Sequence, residues 1–247
     1  MRQTPTSTPP PPSSGTHVAA HAVAATATGA AAGEASANAT AKARLQRLVN
    51  AVARQQPRLA WAAGERPDGT TLLTTDLACG WVPPGIDLPA AVKLLQPARR
   101  RGTLESLLGE VAVTASYTPI HQLPYEDDTP TTATSPRPRS TTEIKEFGWQ
   151  LTQATQWRDG LPRLAHTLAK AACAGTGVLD SEIDLLQEHL DAISTKVLDS
   201  YPGRVDRHDV GNWQLLAALD ALIAGDKTAA NYHLAWFVAC KSEPTPG

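Results

Sequence analysis

From Ser140 to Lys241 the chain repeats one grammar: a polar residue able to cap a helix, apolar residues at steps of three and four, then a stop. The clearest instance begins at Ser181-Glu182-Ile183-Asp184, a serine three residues ahead of a carboxylate, as in a capping box. Ile183, Leu186, Leu190, Ile193 and Val197 then share one stripe, with Glu182, Gln187, Glu188 and Asp191 elsewhere, and Tyr201-Pro202-Gly203 ends the run. An apolar stripe of this kind has to be buried against a neighbour, which commits the whole segment to packing.

The neighbours follow suit. Ser140 with Glu143 signals a helix with Ile144, Phe147, Leu151 and Ala154 on one face. Asp159 is placed to cap the next, with Pro162 tolerated in its first turn and Leu161, Leu164, Leu168 and Ala171 facing inward. Asp209 precedes a helix carrying Trp213, Leu216, Leu219 and Ile223, which Gly225 ends. Asp226 caps the last, with Ala230, Leu234, Phe237 and Cys240 along one side. The link Gly225-Asp226 is so short that these two helices form an antiparallel hairpin. Residues 140–241 are therefore expected to form an all-α module of five helices.

Residues 40–124 carry a different pattern. Leu45, Leu48, Val49 and Val52 make a helical stripe beside Arg44, Arg47 and Arg54, and Pro57 stops it. Leu59 to Ala63 and Thr70 to Asp76 flank Arg66-Pro67-Asp68-Gly69, a hairpin signal. Cys79 to Gly85 is a rigid loop; short helices are expected at Pro89–Leu95 and Leu104–Leu108, the second capped by Thr103, before a third strand over Val111–Tyr117. The expected fold class is α+β, mainly α: a small α+β domain with a short antiparallel sheet, followed by the helical module.

Low complexity frames these parts. Residues 1–39, rich in Pro and Ser at first and then in Ala and Thr, read as a disordered leader unable to offset its ordering entropy. Residues 125–139 read as a linker and 242–247 as a tail. The Ala-rich stretch from His17 to Gly33 lacks the Leu, Ile and Phe of a signal-peptide core and follows prolines instead of a charged region.

A net charge of −2 gives no argument for nucleic acid, and no run is long enough to span a membrane. Arg99-Arg100-Arg101 reads as a solvated bend. Cys79, Cys173 and Cys240 offer no zinc spacing and no disulfide framework, in keeping with a reducing, cytoplasmic setting; no metal or cofactor is expected. The one catalytic idea is a thiol nucleophile at Cys79 with His121 as its base, a Cys-His hydrolase. P-loop, GxGxxG, HExxH and GxSxG motifs are all absent. Six Trp stand against 2 Phe, and Trp149, Trp157 and Trp236 are candidate anchors for a protein partner.

Gly64 to Ile86 (GERPDGTTLLTTDLACGWVPPGI) and the block Trp149 to Trp236, with WRDGLPRLAH and VDRHDVGNWQLLAALDALIAGDKTAANYHLA, resemble the C-terminal region of mycobacterial type VII (ESX) secretion-associated proteins of the EspK kind. The resemblance spans about residues 57–241. It implies a non-enzymatic, cytoplasmic adaptor or chaperone-like protein that binds a secreted ESX substrate such as EspB, an FtsK/SpoIIIE-type secretion ATPase, or both. It carries over no catalytic residue. Full members of that kind begin with an N-terminal helical domain that has no counterpart here. The chain also lacks the marks of a secreted substrate: no Trp is followed by x-Gly, and no Tyr has an acid four residues on. A generic helical interaction scaffold is the remaining alternative.

Overall fold

The computed structural model describes residues 18–120, 123, 135 and 137–241, and the side chains of the first helix from Gly33 onward. The Pro-rich start of the leader, His121, most of the expected linker and the 242–247 tail lie outside the described residues. Contacts divide the chain into a first unit, Met1–Thr40, and a second, Ala41–Gly247.

Helix α1 runs Val18–Gln55, starting well before the expected Ala41. In the first unit its residues 33–40 are all exposed. In the second unit Leu45, Val49 and Val52 are buried, as their spacing requires. Gln55 then clasps the backbone of Asp87, accepting from its amide at 2.7 Å and donating to its carbonyl at 3.2 Å.

The hairpin forms as expected: β1 (Trp61–Glu65) pairs antiparallel with β2 (Thr71–Thr75) across a turn in which Asp68 accepts from the Thr70 amide at 2.8 Å. Two further strands complete a mixed sheet of order β3-β2-β1-β4. β4 (Val113–Tyr117) lies antiparallel beside β1, after the short helix α2 (Leu104–Leu107), which Thr103 caps. β3 (Val92–Leu94) lies parallel beside β2, where the sequence suggested a helix over Pro89–Leu95 in an all-antiparallel context. The free edge of β2 wins over local helix preference, because pairing satisfies backbone groups that would otherwise be buried alone. The whole of β2 is buried, and its Thr75 hydroxyl is used twice, donating to the Trp81 carbonyl at 2.7 Å and accepting from the Leu77 amide at 3.0 Å.

The helical part comprises α3 (Phe147–Thr155), α4 (Arg163–Ala174), α5 (Asp180–Asp199), α6 (Arg207–Ile223) and α7 (Lys227–Lys241). α3 starts at Phe147 and not at Ser140. Asn231 of α7 takes hold of the preceding backbone, accepting from the Ile144 amide at 2.9 Å and donating to the Thr142 carbonyl at 3.0 Å, so those groups are unavailable to a helix. α4 begins behind Pro162, and the carbonyl of Asp159, the expected cap, accepts from Asn212 at 2.9 Å instead. α6 is capped by Asp206 through the His208 amide, and Asp209 lies inside its first turn, paired with Lys196 at 2.8 Å.

In α5 the stripe residues Leu186, Leu190, Ile193 and Val197 are buried as expected. Gly225, with φ of 81°, turns the chain between α6 and α7, and Asp226 caps α7 through the Ala229 amide at 2.9 Å. α6 is buried without interruption from Asp209 to Leu219, which makes it the central helix of the second unit.

The second unit has one core, and the loop Cys79–Gly85 is what joins its halves. Trp81 enters between α6 and α7, with its ring edge-on to Trp213 at 5.1 Å. The Tyr232 hydroxyl accepts from the Val82 amide at 3.0 Å. Half-buried Arg139 donates to the carbonyls of Pro83 and Ile86 at 3.0 and 3.2 Å. The fold is α+β and mainly α, with the sheet and the helices sharing that core.

Candidate functional site: an aromatic face and an arginine-lined cavity

Two features stand out from this frame. The first is α3 and its flanks. Trp149 is 61% exposed and Trp157 is 84% exposed, large apolar surfaces that solvent does not favour. Trp157 also has φ of 50°, a left-handed backbone that a bulky residue rarely adopts. Its successor explains the constraint: Arg158 donates to the Asn212 side chain and to the His208 carbonyl, and its guanidinium lies 5.0 Å over the Phe237 ring. Anchoring Arg158 on α6 and α7 leaves Trp157 turned out. Trp236, the third expected anchor, is 0% exposed and packs edge-on to Tyr232. It belongs to the core, because α7 is buried on several sides and not along a single stripe.

The second feature is a cavity of about 560 Å³ at the junction of the sheet's loop with α6 and α7. Cys79 and Cys240 both reach it, from segments far apart in sequence. Ala78 and Cys79 are both left-handed, with φ of 46° and 64°, and Gly80 follows at 118°. A Cβ at Gly80 would lie 2.8 Å from the Thr74 hydroxyl, so only glycine lets the chain turn there. Two successive non-glycine residues in this conformation are costly, and such strain concentrates at functional loops.

The two thiols are unequal. A hydrogen bond from Cys240 holds the Cys79 thiol below its ordinary range, helped by the Arg100 backbone amide and the charges of Arg207 and Arg99, against the opposing effect of burial. Cys240 is pushed up by the same contact and by burial. The Cys240 thiol also lies 3.6 Å from the Ala78 carbonyl. His121, proposed as a base for Cys79, lies outside the described residues. His208 is the histidine that lines the cavity. Tyr201 closes one side, donating its hydroxyl to Asp76 and accepting from the Ala60 amide at 3.2 Å.

Two other histidines sit within the fold. His233 is buried and accepts from Trp81; His166 lies 3.2 Å from the Thr152 carbonyl. Among the described residues no group of His, Cys, Asp and Glu is placed to hold a metal ion, and no helix is long and apolar enough to cross a membrane.

Sequence reasoning missed the cavity. Arg99-Arg100-Arg101, read as a solvated bend, line its wall together with Arg158 and Arg207. The only local hints were the arginine run and the nearby Cys-Gly pair.

Residues 39–119 match a family of unknown function, DUF5632, and residues 144–240 match another, DUF5631. Over 203 residues the chain is 46% identical to the uncharacterized protein Rv2082 of Mycobacterium tuberculosis (strain ATCC 25618 / H37Rv). That match takes in 81% of this chain but spans only 28% of the relative. A solved fragment of the conserved hypothetical protein Rv3899c (residues 184–410) from Mycobacterium tuberculosis is 43% identical, with a TM-score of 0.80, over 86% of this chain and 100% of the fragment. With that identity across the whole fragment, the chain belongs to the same mycobacterial protein family, carrying the DUF5632 and DUF5631 regions in order within residues 39–240.

Proposed function

We propose that this protein is a non-enzymatic adaptor, chaperone-like in action, of type VII (ESX) secretion, related to the EspK kind. It binds a secreted substrate such as EspB, the FtsK/SpoIIIE-type secretion ATPase, or both, from the cytoplasm. The observation that carries the reading is the pair of exposed tryptophans, Trp149 and Trp157, on and just after α3. Aromatic anchors of this kind supply much of the binding energy at protein interfaces, and here they rest on a firmly packed support. The secretion part of the proposal rests on the resemblance of Gly64 to Ile86 and Trp149 to Trp236 to proteins of the EspK kind.

The test is capture from a mycobacterial lysate with the full chain as bait, read by mass spectrometry. EspB or the secretion ATPase is expected among the captured proteins, and Trp149→Ala with Trp157→Ala is expected to lower their recovery with helical circular dichroism unchanged. Capture that ignores both substitutions, or that contains no ESX component, would sink the reading.

A Cys-His hydrolase is the second reading, favoured by the lowered Cys79 thiol in its cavity. Hydrolysis of a fluorogenic ester, abolished by Cys79→Ala, would support it; equal rates in the two proteins would dismiss it.

A further inference from the structure

The cavity beside Cys79 collects cations from four separate places: Arg99, Arg100 and Arg101 ahead of α2, Arg158 after α3, Arg207 opening α6 and Lys241 closing α7. Asp76 is the one carboxylate in its lining, and it is already engaged by the Tyr201 hydroxyl. Among the described residues no carboxylate forms an ion pair with Arg100, Arg101, Arg158, Arg207 or Lys241. Like charges gathered on low-dielectric walls repel one another, and a chain with a net charge of −2 has acidic side chains to spare for them. That they go unused marks the cavity as a place where negative charge comes from outside.

A second observation is independent of charge. Gln214 of α6 lines the same cavity at 1% exposure; apart from the weakly bonding Cys240 thiol nearby, neither its side-chain oxygen nor its nitrogen has a hydrogen-bond partner. A buried carboxamide left in this way is costly, and a polar ligand group that reached it would offset that cost. Leu77, Val205, Val210 and Phe237 add apolar wall beside these groups. The volume, about 560 Å³, lies in the range of small-molecule sites.

We propose that this cavity is a binding site for a small phosphorylated molecule with an apolar body, its phosphate held by the arginines and its body laid against Phe237 and Val210. Guanidinium forks match phosphate oxygens in pairs, and several of them suit a dianion better than a single carboxylate. The site is separate from the tryptophan surface and does not depend on the adaptor reading.

The experiment is isothermal titration of the full chain with three probes: phenyl phosphate, inorganic phosphate and benzyl alcohol. Phenyl phosphate is expected to bind saturably, about tenfold or more tighter than inorganic phosphate, with affinity falling as salt rises and no measurable heat from benzyl alcohol. Arg101→Gln with Arg207→Gln, both at exposed positions, is expected to weaken phenyl phosphate by about tenfold or more without lowering the melting temperature. Phenyl phosphate is also expected to slow alkylation of Cys79 in the native protein. No binding of phenyl phosphate, or binding that the double substitution leaves unchanged, overturns the proposal; so does equal affinity for phenyl phosphate and inorganic phosphate.

Discussion

The indole nitrogen of Trp81 donates to Nδ1 of His233 at 3.0 Å, across 152 residues of chain, and both side chains are buried. A ring nitrogen that accepts cannot also carry a proton, so this bond selects the neutral imidazole. Burial, with the charge of Arg139, holds His233 well below its usual value near 6.5.

A pH dependence follows from that pairing. Below the usual histidine value the unfolded chain takes up a proton that folded His233 refuses, so the stability it contributes is present above about pH 6.5 and is lost as pH falls. Asp76 and Asp220, raised by burial, act in the opposite sense at lower pH. Melting temperature is expected to fall between pH 7 and pH 5 more steeply in the native chain than in His233→Gln. Parallel curves would show that this histidine does not titrate on unfolding.

The tryptophans divide by burial. Trp236→Ala is expected to cost about 3–5 kcal/mol in a urea titration, since it opens a cavity in the core. Trp149→Ala should stay within about 0.5 kcal/mol. Trp157→Gly should stabilise by about 1 kcal/mol, because glycine accepts φ of 50° without strain. A destabilised Trp157→Gly would mean that the indole packs more firmly than its exposure implies.

Two glycines of one loop differ in kind. Gly85→Ala meets open space and pays only for its φ of 75°, about 1–2 kcal/mol. Gly80→Ala has φ of 118° and would drive a Cβ to 2.8 Å from Thr74 and 3.0 Å from Leu95. It is expected to cost about 1–3 kcal/mol more than Gly85→Ala in equilibrium unfolding, with equal costs counting against the tight turn.

Cys79 and Cys240 should be chemically distinct. In a Cys173→Ser background, iodoacetamide at pH 7 is expected to label Cys79 in the native protein while Cys240 reacts only after denaturation. Labelling of Cys79 should persist well below the ordinary thiol value of roughly 8.5, as its shift requires. Peptide mapping decides the matter, and preferential labelling of Cys240 would reverse the assignment of the thiolate.

How far the sequence foretells this structure depends on where each element finds its partners. α5 is legible because its stripe is local: Leu186, Leu190, Ile193 and Val197 need only each other's spacing to be recognised. The β1–β2 hairpin is legible through its Pro-Asp-Gly turn. β3 is not, because Val92-Lys93-Leu94 is extended only for lack of any other partner for the edge of β2. The start of α3 is hidden for a similar reason, Asn231 having claimed the backbone before it. Trp149, off the Ile144/Phe147/Leu151 face, could be singled out from the sequence, whereas Trp236, beside Phe237, could not be told from it until α7 was seen to be enclosed. The cavity was invisible because its cations meet only after the chain has folded.

The insertion of Trp81 and Val82 between Trp213, Tyr232 and His233 has a consequence for how such proteins can be dismantled or recombined. A gene split between the two matched regions would yield one fragment with a bare indole and another with an empty aromatic slot, each prone to self-association. On these contacts the two regions are expected to be stable together and not apart.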